Sequence, residues 1–576
     1  MRILLALIAA APLLAQIPDR DARAADAPHT DTKFHMPEYK TRAEWERRAD
    51  HLRKQILSAA GLLPMPEKTP LHPVVFGRIE RDGYSVEKAH LETLPGYFLC
   101  GNLYRPRGRQ GRFPAVASPH GHWKTGRLEN TALASVPGRA INLARQGYVV
   151  FTYDMVGYND TAQTPHIFGG RREQLWSFGP LGLQLWNSIR VVDFLESLPE
   201  VDKNRIAATG ASGGGTQTFL LAAVDPRVKV DAPVNMLSFI MQGGSPCENA
   251  PGLRIDANNV EIGAMMAPRP MLMVSATGDW TRNTPKEEYP AIRHIYELYD
   301  RPDLVRNVHV DAPHNYNQQS REAVYGFFAR RLLGDANESN YKERAFEVEP
   351  KEKLLVWADH DKPSNALTYE QIVEQWIRSA QKQNESSGRR SFKERLRLVL
   401  AAEWPREVLS QKLEGERILL GRAGRGDRVP AIYQPGKGEA VLVVDERGAD
   451  AAAPPDTKGA VLRIDAFQTG SAAAPQPEPK RHHLTFHRTV DANRVQDILT
   501  ALRFLEQQNA KPIRLIGAGK GAVWATFAAA VAEMPVKLEA DLGSFAGADA
   551  DFERDFFVPG IQRAGGLKAA LQLAGR

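Results

Sequence analysis

The chain has 576 residues, 43% of them apolar and 25% charged, with a formal net charge of +6. That length exceeds one ordinary hydrophobic core and points to two domains of a soluble globular protein. The positive balance is small and forms no Lys/Arg block or basic stripe, which argues against a nucleic-acid partner.

Arg2 precedes an apolar run from Ile3 to Ala15, broken by Pro12. This is the pattern of a secretory signal peptide, with cleavage expected after Ala15 or Ala24, and residues 1–25 are assigned to it. The run is too short to span a bilayer. The mature protein is therefore expected in the periplasm or outside the cell, without a membrane anchor. An exported chain permits a disulfide between its two cysteines, Cys100 and Cys247, but the sequence is equally compatible with two buried thiols.

A charged amphipathic helix is expected over 42–60. Two strands follow, 84–93 and 97–104, joined by the turn dipeptide Pro95-Gly96. Strands over 114–118, 148–154, 205–209, 270–276 and 307–310 then alternate with helices over 139–146, 182–198, 214–224 and 322–333. Such alternation predicts a mostly parallel sheet with helices on both faces. The chain turns polar at 334–342, which separates a first domain, 35–335, from a second, 345–576.

Gly210-Ala211-Ser212-Gly213-Gly214 fits G-x-S-x-G, with a predicted strand entering and a predicted helix leaving. In that setting the pattern is a nucleophile elbow, which lifts the serine hydroxyl above the sheet edge. It lacks the Lys-Ser/Thr ending of a P-loop and the spacing of a dinucleotide fingerprint. A serine needs a base, and the acid and base follow the nucleophile in the order Asp/Glu, His. Asp279 sits just past the strand over 270–276 and is the expected acid; Glu287 and Glu288 are rivals further along. His314 follows the strand over 307–310 on a loop and is the expected base. His309 lies within that strand and His294 in a helix. The oxyanion donors are expected from Gly213 and from the loop Pro119-His120-Gly121-His122-Trp123, where Gly121 permits close approach and His122 offers its N–H. A metal site at His120 and His122 is not expected, because no Asp, Glu or Cys clusters with them in the sequence. The chemistry calls for no cofactor.

These pieces, with Asp154 through Gly157, Gly278-Asp279 and Pro313-His314-Asn315-Tyr316, resemble the acetyl xylan esterase and dienelactone hydrolase-like branch of the α/β-hydrolases. The resemblance spans about residues 40–335 and includes the stretch 242–251 between nucleophile and acid. It implies the α/β-hydrolase fold, a Ser212–His314–Asp279 triad, and ester hydrolysis on side groups of a plant polysaccharide or oligosaccharide, commonly acetyl. Trp123, Glu248 and Arg254 are the candidate pocket residues, with Arg254 or Arg282 a candidate cation for a methyl uronate ester. Three alternatives stand beside this reading: a methyl esterase on uronic acids, a serine peptidase of prolyl-oligopeptidase type, and a non-catalytic carbohydrate-binding or scaffolding protein. The peptidase is disfavoured because the hydrolase core begins by about Tyr84, which leaves no room for a preceding propeller.

The second half echoes the first. Phe504-Leu505-Glu506 precedes Gly517-Ala518-Gly519-Lys520-Gly521 as Phe194-Leu195-Glu196 precedes the elbow, and 461–465 echoes 149–154. Gly519 stands where Ser212 would, and too little chain remains for an acid and a base. A degenerate, truncated α/β-hydrolase-like domain without catalytic function is expected. Oligomeric state is not legible.

Overall fold

The computed structural model describes residues 16–24 and 28–575, so the apolar run Ile3–Ala15 lies outside the described residues. No described helix is long and apolar enough to cross a membrane.

The first sheet has nine strands: β1 (Val74–Arg81), β2 (Tyr84–Leu94), β3 (Tyr97–Pro106), β4 (Phe113–Pro119), β5 (Val149–Tyr153), β6 (Val201–Ala211), β7 (Val228–Val234), β8 (Met271–Gly278) and β9 (Val305–Pro313). Their order is β1-β2-β3-β5-β4-β6-β7-β8-β9. The β1, β2, β3 and β5 neighbours pair antiparallel, and everything from β5 onward is parallel. A parallel strand covered on both faces reads as a continuous apolar run, and β5 (Val-Val-Phe-Thr-Tyr) is buried at every position. The helix Gly213–Val224 is buried all round for the same reason.

Sequence periodicity missed two strands. The outer strand β1 is mostly exposed and carries a register break between Phe76 and Ile79, which destroys the alternation that marks a strand. The inner strand β7 contains Asp231 and Pro233, residues that argue against a central strand. The fold tolerates both. Toward β8 only Asp231 and Val234 are paired, so the missing N–H of Pro233 falls in a gap of the ladder.

The second sheet comprises β10 (Val408–Lys412), β11 (Arg417–Arg422), β12 (Val429–Gln434), β13 (Ala440–Asp445), β14 (Val461–Ile464), β15 (Ile513–Ala518) and β16 (Lys537–Ala540). Its order is β10-β11-β12-β14-β13-β15-β16, with β13, β14, β15 and β16 mutually parallel and the rest antiparallel. Strand for strand, this is the first sheet without its last two members. Those two, β8 and β9, are the strands that lead into Asp279 and His314.

The two halves are not beads on a string. One apolar core runs from Trp45 and Trp186 of the first half to Trp524 and Phe552 of the second. After Gly334 the chain stays on the first sheet. Arg321 pairs with Glu343 at 2.6 Å, and Asn102 Nδ2 donates to Leu354 O at 2.8 Å. The C-terminal segment returns to the first half, where Gly560 N donates to Gln174 O at 2.7 Å and Gln562 N to Leu175 O at 3.0 Å.

Asp231 is fully buried, and neither carboxylate oxygen has a hydrogen-bond partner. Burial raises its pKa to about 8, against a smaller opposing pull from Arg269. A carboxyl whose folded pKa is raised contributes most below its unfolded pKa, and that contribution is lost as pH rises through the folded value. Asp231→Asn is therefore expected to gain stability relative to the parent as pH rises from 5 to 8, by about 1 kcal/mol per pH unit, and to level off above. Urea unfolding across that range measures it; a pH-independent difference would contradict the assignment.

Candidate active site

β6 delivers Ser212 at φ 59°, ψ −125°, outside the regions a side chain favours. Two hydrogen bonds fix this turn: Ser212 N donates to Val234 O at 3.1 Å, and Thr216 N to Ser212 O at 3.0 Å. The next residue, Gly213, opens the helix Gly213–Val224. Its N–H is one of those a helix start leaves without an intrahelical acceptor, at the positive end of the dipole.

The loop after β4 closes over this turn. A Cβ on Gly121 would lie 2.7 Å from Ala211 O and 3.1 Å from Ser212 Cβ, so no larger residue fits there. A Cβ on Gly213 would lie 2.8 Å from His122 Nδ1. His120 anchors the loop from within. Its Nδ1 lies 2.7 Å from Gly121 O, and its Nε2 accepts from Met155 N at 2.9 Å. Burial pushes its pKa down to about 3, so the ring is neutral and holds one tautomer.

Asp279 and His314 lie immediately past β8 and β9, on the same sheet edge as Ser212. Asp279 Oδ2 is 2.8 Å from His314 Nδ1, and its Oδ1 accepts from Thr281 N at 2.7 Å and Thr281 Oγ1 at 2.5 Å. The carboxylate is 8% exposed, so little water competes for it. The His314 ring lies against Trp280 (centroids 4.4 Å apart) and Trp123 (5.8 Å). Its buried Nε2 has no hydrogen-bond partner. A base awaiting substrate often lacks its catalytic hydrogen bond until the complex forms.

Sequence reading missed the residues that hold the His314 loop. Asn235 Nδ2 donates to Asn315 O at 3.0 Å, and the Tyr316 and Thr209 hydroxyls lie 2.7 Å apart. The motif Pro313-His314-Asn315-Tyr316 contained the signal for half of this. Asn235 and Thr209 come from other strands and left no trace in the spacing.

The rivals resolve differently. His309 Nδ1 lies 2.8 Å from Ser275 Oγ across the β8–β9 ladder. Glu288 is buried and accepts from Phe239 N at 2.8 Å, away from His314. His294 Nε2 is 2.9 Å from Tyr39 O.

Two of the candidate pocket residues are bonded within the loop after β7. Glu248 Oε2 accepts from Gly244 N at 2.8 Å and Ser245 N at 3.0 Å, and its Oε1 from Thr216 Oγ1 at 3.1 Å. Arg254 is 1% exposed and donates to Glu248 O and Asn249 Oδ1, both at 2.9 Å, and to Asn259 Oδ1 at 2.8 Å. Both residues are used to brace the loop after β7, which has too little regular structure to satisfy its own backbone. Arg282 is exposed and donates to Asp279 O at 3.3 Å.

One correction concerns His122. The sequence offered it no partners, but the fold brings His166 and Cys247 to it from chain positions far away. Both cysteines are buried free thiols, which settles their pairing.

A cavity of about 970 Å³ opens between the two halves. The first half lines it with Ile167, Phe178 and Pro246, and the second with Phe467, His482 and Phe557. Ser212, Trp123, Glu248 and Arg254 are not among its lining residues. It begins one residue from His166 and one from Cys247, on the side of the elbow that His122 faces.

The acetyl xylan esterase family profile matches residues 90–240. The solved structure of the methylesterase BT1017 is 32% identical, with a TM-score of 0.50 over 61% of this chain and 78% of that one. The Bacillus subtilis (strain 168) protein named "Putative hydrolase YtaP" is 26% identical over 254 residues, which is 41% of this chain and 82% of that protein. An acetyl xylan esterase from Paenibacillus sp. R4 is 21% identical, with a TM-score of 0.34 over 52% of this chain and 98% of that one.

Because a methyl group on Gly121 would crowd the Ser212 side chain, Gly121→Ala is expected to slow phosphonylation of Ser212 by a fluorophosphonate at least about tenfold while cooperative unfolding persists. Labelling at the parent rate would show that the loop yields without disturbing the serine.

Proposed function

The chain belongs to the acetyl xylan esterase branch of the α/β-hydrolase superfamily, and from that premise we propose that it is an exported serine carbohydrate esterase working through Ser212, His314 and Asp279. Its family is one of carboxylic-ester hydrolases. The observation that carries the mechanism is the 2.8 Å contact between His314 Nδ1 and Asp279 Oδ2 on the sheet edge that presents Ser212 at a strained turn.

In this reading the Nδ1–H of His314 donates to Asp279, so Nε2 is the free base. Nε2 takes the Ser212 proton as Oγ attacks the ester carbonyl. The Gly213 N–H and the His122 N–H of the Gly121 loop receive the developing oxyanion. His314 returns the proton to the leaving alcohol, and the acyl group stays on Ser212. Water then repeats the sequence in reverse and releases the acid. Trp123 and Trp280 shield the imidazole from solvent on two sides, which strengthens its bond to Asp279.

The substrate is proposed to be an acetyl ester on a plant polysaccharide, in line with the family profile over residues 90–240. A methyl ester of a uronic acid is the second reading, favoured by the name of the 32% identical methylesterase. A panel of acetylated and methyl-esterified oligosaccharides separates them: released acetate supports the first, released methanol the second. Turnover of neither would refute the carbohydrate reading.

Ser212→Ala is expected to lower turnover on the order of 10⁴-fold, and His314→Ala by a similar factor, since members of such a unit fail together. His309→Ala should act mainly on stability. Activity above a tenth of the parent in Ser212→Ala would remove that residue from the role.

Export is inferred from Arg2 and the apolar run Ile3–Ala15, and the segment around residue 20 bears on the cleavage position. Arg23 Nη1 reaches the fully buried Asp497 Oδ1 at 2.6 Å, and Ala22 N donates to Gly426 O at 2.9 Å. Cleavage after Ala24 would strip that cation from Asp497, whereas cleavage after Ala15 retains it. The mature chain is expected to begin at Gln16, and intact-mass measurement on protein from its natural host checks this. A chain that keeps Met1 there would overturn the proposal of export.

A further inference from the structure

We propose that His122, His166 and Cys247 form a binding site for one dication of the Zn²⁺ class, beside the nucleophile elbow. The three side chains come from three separate segments: the loop after β4, the chain after β5 and the loop after β7. One ligand atom from each lies within 4.8 Å of the other two. His122 Nε2 is 3.0 Å from Cys247 Sγ, and the His122 and His166 ring centroids are 5.2 Å apart.

The protons are arranged for coordination. His166 Nδ1 lies 2.7 Å from Val156 O, and a carbonyl only accepts, so the ring N–H is at Nδ1 and Nε2 carries a lone pair. Metal-bound histidines are oriented by this same device. The Ser245 hydroxyl, 3.2 Å away, donates to that Nε2, and a cation would displace it there. For His122, Nδ1 faces Gly213 and Nε2 faces the sulfur, so the nitrogen aimed into the cluster is the one a metal would take. Binding replaces the Cys247 S–H by an S–metal bond and releases one proton to solvent.

The donor set selects the ion. Two imidazoles and a thiolate suit Zn²⁺, and Ca²⁺ and Mg²⁺ require oxygen ligands. Tetrahedral Zn²⁺ places such atoms about 3.3–3.6 Å apart. Three protein ligands leave a fourth position open, in the manner of zinc sites that admit a further ligand. The consequence is mechanical. A bound ion would tie the Gly121–His122 loop, which packs on Ser212, to the two segments that continue into the wall of the interdomain cavity. The site stands whether or not the chain cleaves an ester.

The test uses the full mature protein, stripped with chelator, with Co²⁺ as an optical stand-in for Zn²⁺. One equivalent is expected to give a thiolate-to-cobalt charge-transfer band that Zn²⁺ abolishes. Cys247→Ser should lack the band. His166→Gln should weaken Zn²⁺ binding on the order of tenfold or more. Circular dichroism verifies that each variant is folded. In the parent protein, binding of stoichiometric Zn²⁺ should release about one proton, a readout that needs no variant. No thiolate band in the folded parent, a band that survives Cys247→Ser, or binding without proton release would each overturn the site. Zn²⁺ affinity unchanged in both variants would do the same, and would place the ion elsewhere, for example on the stacked pair His483 and His487.

Discussion

A serine held at φ 59° is the constraint around which the first domain is built. Such backbone costs of order 1–3 kcal/mol and persists only where its surroundings over-determine it. Here they do. The Ser212 N–H is committed to Val234 O on one side, and the Gly121 loop presses on the other without room for a methyl group. The serine's proposed partners are delivered to the same sheet edge by parallel strands: the 119–123 loop by β4, Asp279 by β8 and His314 by β9. Parallel strands end on one edge, so residues far apart in the chain arrive together without long loops.

The second domain repeats that arrangement in part. Its sheet repeats the first in strand order and direction, and at the elbow position Gly519 has a similar φ of 57°. A glycine adopts that conformation at no steric cost, and the strained serine has no counterpart here. Among the described residues its sheet has no counterparts of β8 and β9. What remains is packing: Phe527, Phe552 and Phe556 fill the core, and the C-terminal segment hydrogen-bonds to Gln174 and Leu175 of the first half. The second domain also supplies about half of the wall of the interdomain cavity.

Between elbow and cavity lies a polar seam whose members serve different ends. His120 is neutral and clamps the loop, whereas Glu248 and Arg254 brace the loop after β7. His122, His166 and Cys247 are left facing one another. The distinction lies in hydrogen bonding. Groups bonded to backbone hold a loop in place, whereas ring nitrogens and a thiol bonded to side chains can exchange those bonds for a shared cation.

The sequence by itself determined the α/β-hydrolase class, the elbow at Ser212 and the candidate partners Asp279 and His314. Each of these is local: a glycine turn between strand and helix, or a titratable residue at a strand's end, is written in adjacent residues. It also determined that the second half has Gly519 at the elbow position. The strands β1 and β7 escaped because an exposed edge strand has no alternation to read, and because Asp231 and Pro233 deny β7 the look of an inner strand. Only the tertiary structure decided that Glu248 and Arg254 bond within the loop after β7, that Cys100 and Cys247 are free thiols, and that His166 and Cys247 converge on His122. Those are contacts between segments that the sheet order brings together, and spacing along a chain does not encode distance once the chain crosses from strand to strand.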